Sequence, residues 1–162
     1  MKQRIMKLSI VVADYDQALD FYVGKLGFEL IEDRPELGKR WVVIAPPGGA
    51  GAQLVLGRAK NDAERACIGR QTGGRVFLFL ETDDFWRDYD RYRQAGVKFL
   101  ESPREESYGT VVVFEDLYGN RWDLIESRET PQTGVGRHRC ACFVPSIDCH
   151  RGSGKRISSS GN

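Results

Sequence analysis

The sequence predicts an α+β fold built from two βαβββ modules that form a curled mixed sheet around a cavity. Two stretches carry that expectation. DYDQALDFYVGKLGFEL, from Asp14, and DFWRDYDRYRQAGVKFL, from Asp84, share one order at nearly the same offsets: acidic cap, aromatic-bearing helix, glycine stop, strand. A short apolar run precedes each, MKLSIVV before the first and VFLFLE before the second, and further β-rich runs follow. Each copy then has a sheet with one helix on one face, so the opposite face of each sheet needs cover.

The elements follow in order. Met6 to Val12 is a strand with Leu8, Ile10 and Val12 toward a helix and Lys7, Ser9 and Val11 facing the other way. Asp14 or Asp16 caps a helix from about Gln17 to Lys25, and Gly27 stops it. Strands are expected at 28–33, 40–45 and 53–56, with Pro46 to Gly51 as a turn between the last two. Lys60 to Thr72 is a polar connector with room for one helical turn. In the second copy, Val76–Glu81 is a strand, Asp83 or Asp84 a cap, Phe85–Gln94 a helix and Val97–Leu100 a strand. Thr110 to Glu126, TVVVFEDLYGNRWDLIE, closes the set as two strands around a turn at Asp116–Asn120. Val111 to Phe114 suit a strand buried on both faces. In the last strand, Trp122 and Leu124 alternate with Arg121, Asp123 and Ile125. Asp123 is therefore either a site carboxylate or an exposed acid on an edge strand.

Composition narrows the class. A chain of 162 residues is enough for one domain with a core, here residues 1–130, with modules at about 5–59 and 74–127. Net charge is +1 without a long basic run, which gives no footprint for nucleic acid or a membrane surface. No stretch approaches the ~20 apolar residues that span a bilayer. Acidic Asp14 and Asp16 come too early for a signal peptide. The four cysteines, Cys67, Cys140, Cys142 and Cys149, form no disulfide framework, and the expectation is a cytoplasmic protein. Residues 131–162 carry five Lys/Arg against one Asp/Glu and no periodicity, and read as a disordered C-terminal extension. Its His138, Cys140, Cys142, Cys149 and His150 lack the paired spacing of a zinc knuckle.

VVADYDQALDFYVGKLGFEL, LETDDFWRDYDRYRQAGVKFL and VVVFEDLYGNRWDLIE together resemble the vicinal oxygen chelate superfamily of glyoxalases, bleomycin-resistance proteins, fosfomycin-resistance enzymes and extradiol dioxygenases. The resemblance covers about residues 5–127. It implies a glyoxalase/bleomycin-resistance-like fold, and a divalent metal held by His and Glu on inward-facing strand positions. Those positions fall on Lys7, Val55, Phe77 and Asp123, of which Asp123 alone is a ligand type. Both histidines, His138 and His150, lie beyond the repeated pattern. The expectation is therefore no metal and no cofactor.

Strand parity places Lys7, Ser9, Gln53, Val55, Phe77, Phe79 and Asp123 along the cavity, with Trp41 and Tyr108 near its mouth. Such a mixture of apolar, aromatic and few charged groups suits a small molecule. The aromatics of the two helices, by contrast, have the spacing of core residues. The leading expectation is a metal-independent small-molecule-binding protein that sequesters its ligand, in the manner the bleomycin-resistance resemblance implies. One alternative is a glyoxalase-like lyase or isomerase with Asp123 as general base and Lys7 as its electrostatic partner. A metal-dependent enzyme with a non-standard site and a bare interaction module complete the set. The resemblance also implies a homodimer, and Lys7 and Asp123 are expected within reach of each other.

Overall fold

Hydrophobic alternation decides the first strand. The computed structural model describes residues 2–49 and 51–128; the tail from Pro131, with its histidines and three of the cysteines, lies outside the described residues. β1 (Lys7–Val12) sends Ile10 and Val12 into the core and leaves Ser9 exposed. Asp14 caps the helix that follows, its Oδ1 accepting the N–H groups of Asp16 and Gln17 at 3.0 Å each. α1 (Tyr15–Leu19) therefore starts two residues before the expected Gln17, and it continues through Asp20–Lys25 as a π-helical turn. Apolar spacing alone cannot separate these windings, which differ by one residue in their hydrogen-bond offset.

β2 (Glu29–Glu36) and β3 (Lys39–Ala45) form a hairpin whose two turn residues, Leu37 and Gly38, have φ of 41° and 77°. Two positive φ values mark the primed turns that match strand twist. β2 outruns its expected end at Asp33 because it is the outer strand of its sheet, where Pro35 costs no interior ladder bond. β4 (Gln53–Arg58) returns parallel to β1, and α2 (Asp62–Cys67), capped by Asn61, supplies the helical turn of the connector.

The second module repeats the plan with β5 (Val76–Glu81), α3 (Phe85–Gln94), β6 (Lys98–Phe99), β7 (Arg104–Glu106), β8 (Gly109–Glu115) and β9 (Arg121–Ser127). Asp84 is the cap of α3, accepting the N–H of Arg87 at 3.0 Å. β7 was not expected, since Arg-Glu-Glu shows no apolar alternation. It forms as a charged edge piece on β8, a place where charge discourages further pairing.

Hydrogen bonding gives two mixed sheets. One runs β1-β4-β3-β2; the other runs β5-β9-β8-β6, with β7 also on β8. In each, one pair is parallel, β1 with β4 and β5 with β9. No closed barrel forms among the described residues. The inner faces of both sheets share one core: Ile10, Leu56 and Ile44 of the first meet Trp122, Phe114 and Leu124 of the second, with Phe21, Tyr22, Phe85 and Tyr92 from the helices. Those helical aromatics pack as their spacing predicts, while Trp86 stays exposed.

The turn between β8 and β9 locks the second sheet to the first module. Buried Asp116 accepts from the Tyr22 hydroxyl at 2.6 Å, the Asn120 amide at 2.8 Å and the Trp122 indole at 3.3 Å, all on Oδ2. Its Oδ1 takes the N–H groups of Tyr118 and Asn120 at 2.9 Å each. Burial, then the charge and hydrogen bond of Asp116, hold the Tyr22 phenol well above its ordinary pKa, so it stays a donor.

Candidate functional site

With both inner faces buried together, chemistry is left to the outer faces. On the first sheet, register sets Lys7 beside Gln53 and Ser9 beside Val55, which continues to Val43 and Glu32. Trp41 lies opposite Arg34 farther along β2 and β3. Five expected site residues, Lys7, Ser9, Trp41, Gln53 and Val55, are thus gathered on one face. Lys7 Nζ reaches Glu32 Oε1 at 3.1 Å and sits 5.6 Å from the centre of the Trp41 ring. The Lys7 hydrogen bond holds the Glu32 carboxyl below its usual range.

On the second sheet, Phe79, Asp123 and Val113 form one row across β5, β9 and β8. Their neighbours Leu80, Leu124 and Val112 form the adjacent row and point into the core. Phe79 is 69% exposed, whereas Asp123 is only 8% exposed although it lies on the outer face. β9 is an interior strand, so the edge-strand reading of Asp123 is set aside. Oδ1 of Asp123 is buried and has no hydrogen-bond partner. Leaving such an atom unpaired costs about 1–3 kcal/mol. Burial raises the Asp123 pKa, the Arg104 guanidinium opposes that rise, and Glu101 adds to it.

Glu101 and Arg104 come from the stretch before β8 that lacked any sequence signal. Arg104 Nε binds Glu101 Oε1 at 2.8 Å, and Nη1 binds Glu106 Oε1 at 2.8 Å. The same Glu101 oxygen accepts the Val113 N–H at 3.2 Å, fixing this ion pair to β8. Around this row opens a depression of about 770 Å³, lined by Val76, Phe79, Leu100, Glu101, Arg75 and Arg121, among others. That size suits a small organic ligand. A second depression, of about 630 Å³ beside the β2–β3 hairpin, is more polar in character. There Arg40 already bridges Asp16 and Asp33 at 2.7 Å each, so its charges satisfy one another.

Two expectations need correction. Lys7 and Asp123 are not paired within the chain: Lys7 is taken by Glu32, and no hydrogen bond or ion pair joins the two outer faces among the described residues. Phe77 does not line the cavity beside Phe79. A bulge between Val76 and Leu78 breaks the alternation of β5, and Phe77 packs edge-on against Trp122 with ring centres 6.3 Å apart. Tyr108 lies at the turn between β7 and β8, half exposed.

The family model described as the Glyoxalase/Bleomycin resistance protein/Dioxygenase superfamily matches residues 4–124. The chain belongs to this superfamily. A 59% identical relative is an uncharacterized protein of Shewanella frigidimarina, aligned over 78% of this chain and 95% of its own length. The solved structure of TnmS3, an antibiotic binding protein from Streptomyces sp. CB03234, is 30% identical with a TM-score of 0.64, covering 78% of this chain and 98% of that one. The lactoylglutathione lyase of Neisseria meningitidis serogroup B is 26% identical over 77% of this chain and 91% of its own length. Superfamily membership makes a divalent metal the group to test against the residues present. The donor set does not fit one: no three His, Cys, Asp or Glu side chains are grouped to hold an ion among the described residues, and a lysine stands at one ligand position.

Proposed function

We propose that this chain is a metal-independent binding protein that sequesters a small organic molecule on the outer face of its second sheet. The observation that carries the reading is the row across β5, β9 and β8: Phe79, which is exposed, and Val113 line a depression of ligand size on either side of Asp123, a nine-tenths buried carboxylate with an unpartnered oxygen. A ligand that lies on Phe79 takes exposed apolar surface out of water beside this carboxylate. The likeness to an antibiotic binding protein at 30% identity supports binding as the activity.

A second copy of the chain closes the site in this reading. The outer faces expose Phe79, and Ile5 and Met6 stand exposed just before β1. Pairing two chains face to face would cover this surface and bring Lys7 of one chain toward the open face of the other.

One observation favours a second reading, a lyase or isomerase. A carboxyl with a raised pKa in a partly desolvated site has the character of a general base, and a lactoylglutathione lyase is among the relatives. The test is an assay of lactoylglutathione formation beside elemental analysis and melting curves with and without EDTA. Binding without turnover, no stoichiometric metal and an unchanged melting temperature are expected. Turnover that disappears in Asp123→Ala would replace binding with the lyase reading. About one bound transition metal per chain would overturn metal independence.

A further inference from the structure

We propose that the depression on the second sheet takes an organic anion: an apolar body that lies on Phe79 and Leu100, carrying an oxyanion held by Arg75 and Arg121. This rests on the reading of that face as a small-molecule pocket and adds the charge and orientation of the occupant.

Register lays out the outer face in rows. Phe79, Asp123 and Val113 share one row, and Leu100 extends it by donating its N–H to the Val113 carbonyl at 2.9 Å. Phe79 and Leu100 are exposed, and with Val76 and Val113 they give the depression an apolar lining. Asp123 is buried and takes no part in that lining, so the occupant meets the apolar side chains of the row. A body that covers them gains by leaving water.

The adjoining row, toward the start of β9, is charged. β5 and β9 run parallel, so both strands begin at the same end of the sheet. Arg75 directly precedes Val76, and Arg121 is the register partner of Val76. Both arginines line the depression, and neither forms an ion pair among the described residues. Arg121 Nη1 donates to the Gly74 carbonyl at 3.1 Å, which keeps its guanidinium beside the start of β5. The acid in this row, Glu115 opposite Arg121, is taken by Lys98 at 2.7 Å. Two guanidiniums with donors to spare match an oxyanion, which accepts at two or more oxygens.

Beyond Val113 the charges are spent, and this fixes the orientation. Glu101 Oε1 accepts from Arg104 at 2.8 Å and from the Val113 N–H at 3.2 Å. Arg104 is shared in turn with Glu106. Of the charged residues in the lining, Arg75, Arg121 and Glu101, only the two arginines favour a negative head, and Glu101 repels one. The head therefore lies at the start of β5 and β9, with the body over Phe79.

The probes are 2-naphthoate, 2-naphthamide and 2-naphthylmethylammonium, which share one apolar body and differ in the charge of the head. Their fluorescence reports binding to the full chain. The acid is expected to bind about tenfold tighter than the amide at low salt, as two exposed charge pairs together provide, and the cation to bind weakest. That preference should shrink in molar salt. Arg75→Gln with Arg121→Gln should bring the acid level with the amide, while the amide binds as before. Phe79→Ala should weaken acid and amide alike and leave their ratio unchanged. Equal binding of acid and amide by the wild type overturns the proposal, as does a preference for the acid that survives loss of both arginines. If no probe binds, native mass spectrometry of the purified chain decides. A retained organic anion that is lost from the double variant upholds the proposal. A retained neutral or cationic molecule overturns it and leaves the pocket standing. If nothing is bound or retained, both readings fall.

Discussion

Asp123 carries a conflict that a single atom change can expose. Its pKa is raised by burial from an ordinary 3.8. A carboxyl with a raised folded pKa contributes stability that is fully present below the unfolded value and lost as pH rises through the folded one. The ionised form is therefore the one that burial disfavours in the folded protein. Asp123→Asn should raise stability at pH 7, on the order of 1 kcal/mol, and the gain should shrink toward zero as pH falls to about 3.8. Urea melts of both proteins across that range would check it; a gain independent of pH would mean burial of charge is not the cause. Lys7 belongs to a different account. Its partner is Glu32 on a half-exposed face, so Lys7→Met should cost less than about 1 kcal/mol. In the single chain, the effects of Lys7→Met and Asp123→Ala should add within about 0.5 kcal/mol in a double-mutant cycle on monomer. Non-additivity there would restore the direct pair. Alternation in RWDLI was enough to place Asp123 and Arg121 on one face. Glu101 and Arg104 were invisible because ESPREES has no period, and only pairing of β7 with β8 brings them to that face.

Among the elements, the β8–β9 turn does more than reverse the chain. Asp116 collects donors from Tyr22 in the first module and from Asn120 and Trp122 in the second. Asp116→Asn keeps the size and puts an amide N–H₂ among donors, leaving buried groups unpaired. A loss of about 3 kcal/mol or more is expected, measured by the denaturation midpoint. Melting of the variant within 2 °C of the wild type would contradict the role. The connector after α2 leans on the same turn. Gly69 has φ of 71°, and a methyl group there would run into the Tyr118 carbonyl. Gly69→Ala combines a disfavoured conformation with a backbone clash, and should destabilise by about 2 kcal/mol or more. These elements were legible unevenly. An acidic cap for each helix, the glycine stops and the whole of α3 follow from local chemistry; the choice of Asp14 over Asp16 and of Asp84 over Asp83 comes from the structure. The bulge that turns Phe77 inward was not, since a bulge is a mismatch between two strands and neither sequence alone contains it.

For the whole molecule, duplication was readable because both copies keep cap, helix, stop and strand in step. How the copies meet was not. The sequence parity shows two faces per sheet, but which faces are buried together depends on Tyr22, Phe28, Phe114 and Trp122 packing across the modules, with ring centres about 6 Å apart. That packing leaves the Lys7 face and the Asp123 face without a bond between them, and it turns an expected intrachain pair into two separate surfaces. The central claim is that the Asp123 face holds a small molecule without a metal. Native mass spectrometry of freshly purified wild type and Asp123→Ala tests it most directly. The account predicts a dimer that retains an organic ligand, keeps it after EDTA, and loses most of it in the variant. Wild type that carries a metal ion in place of an organic ligand, or a ligand retained equally by Asp123→Ala, would contradict it.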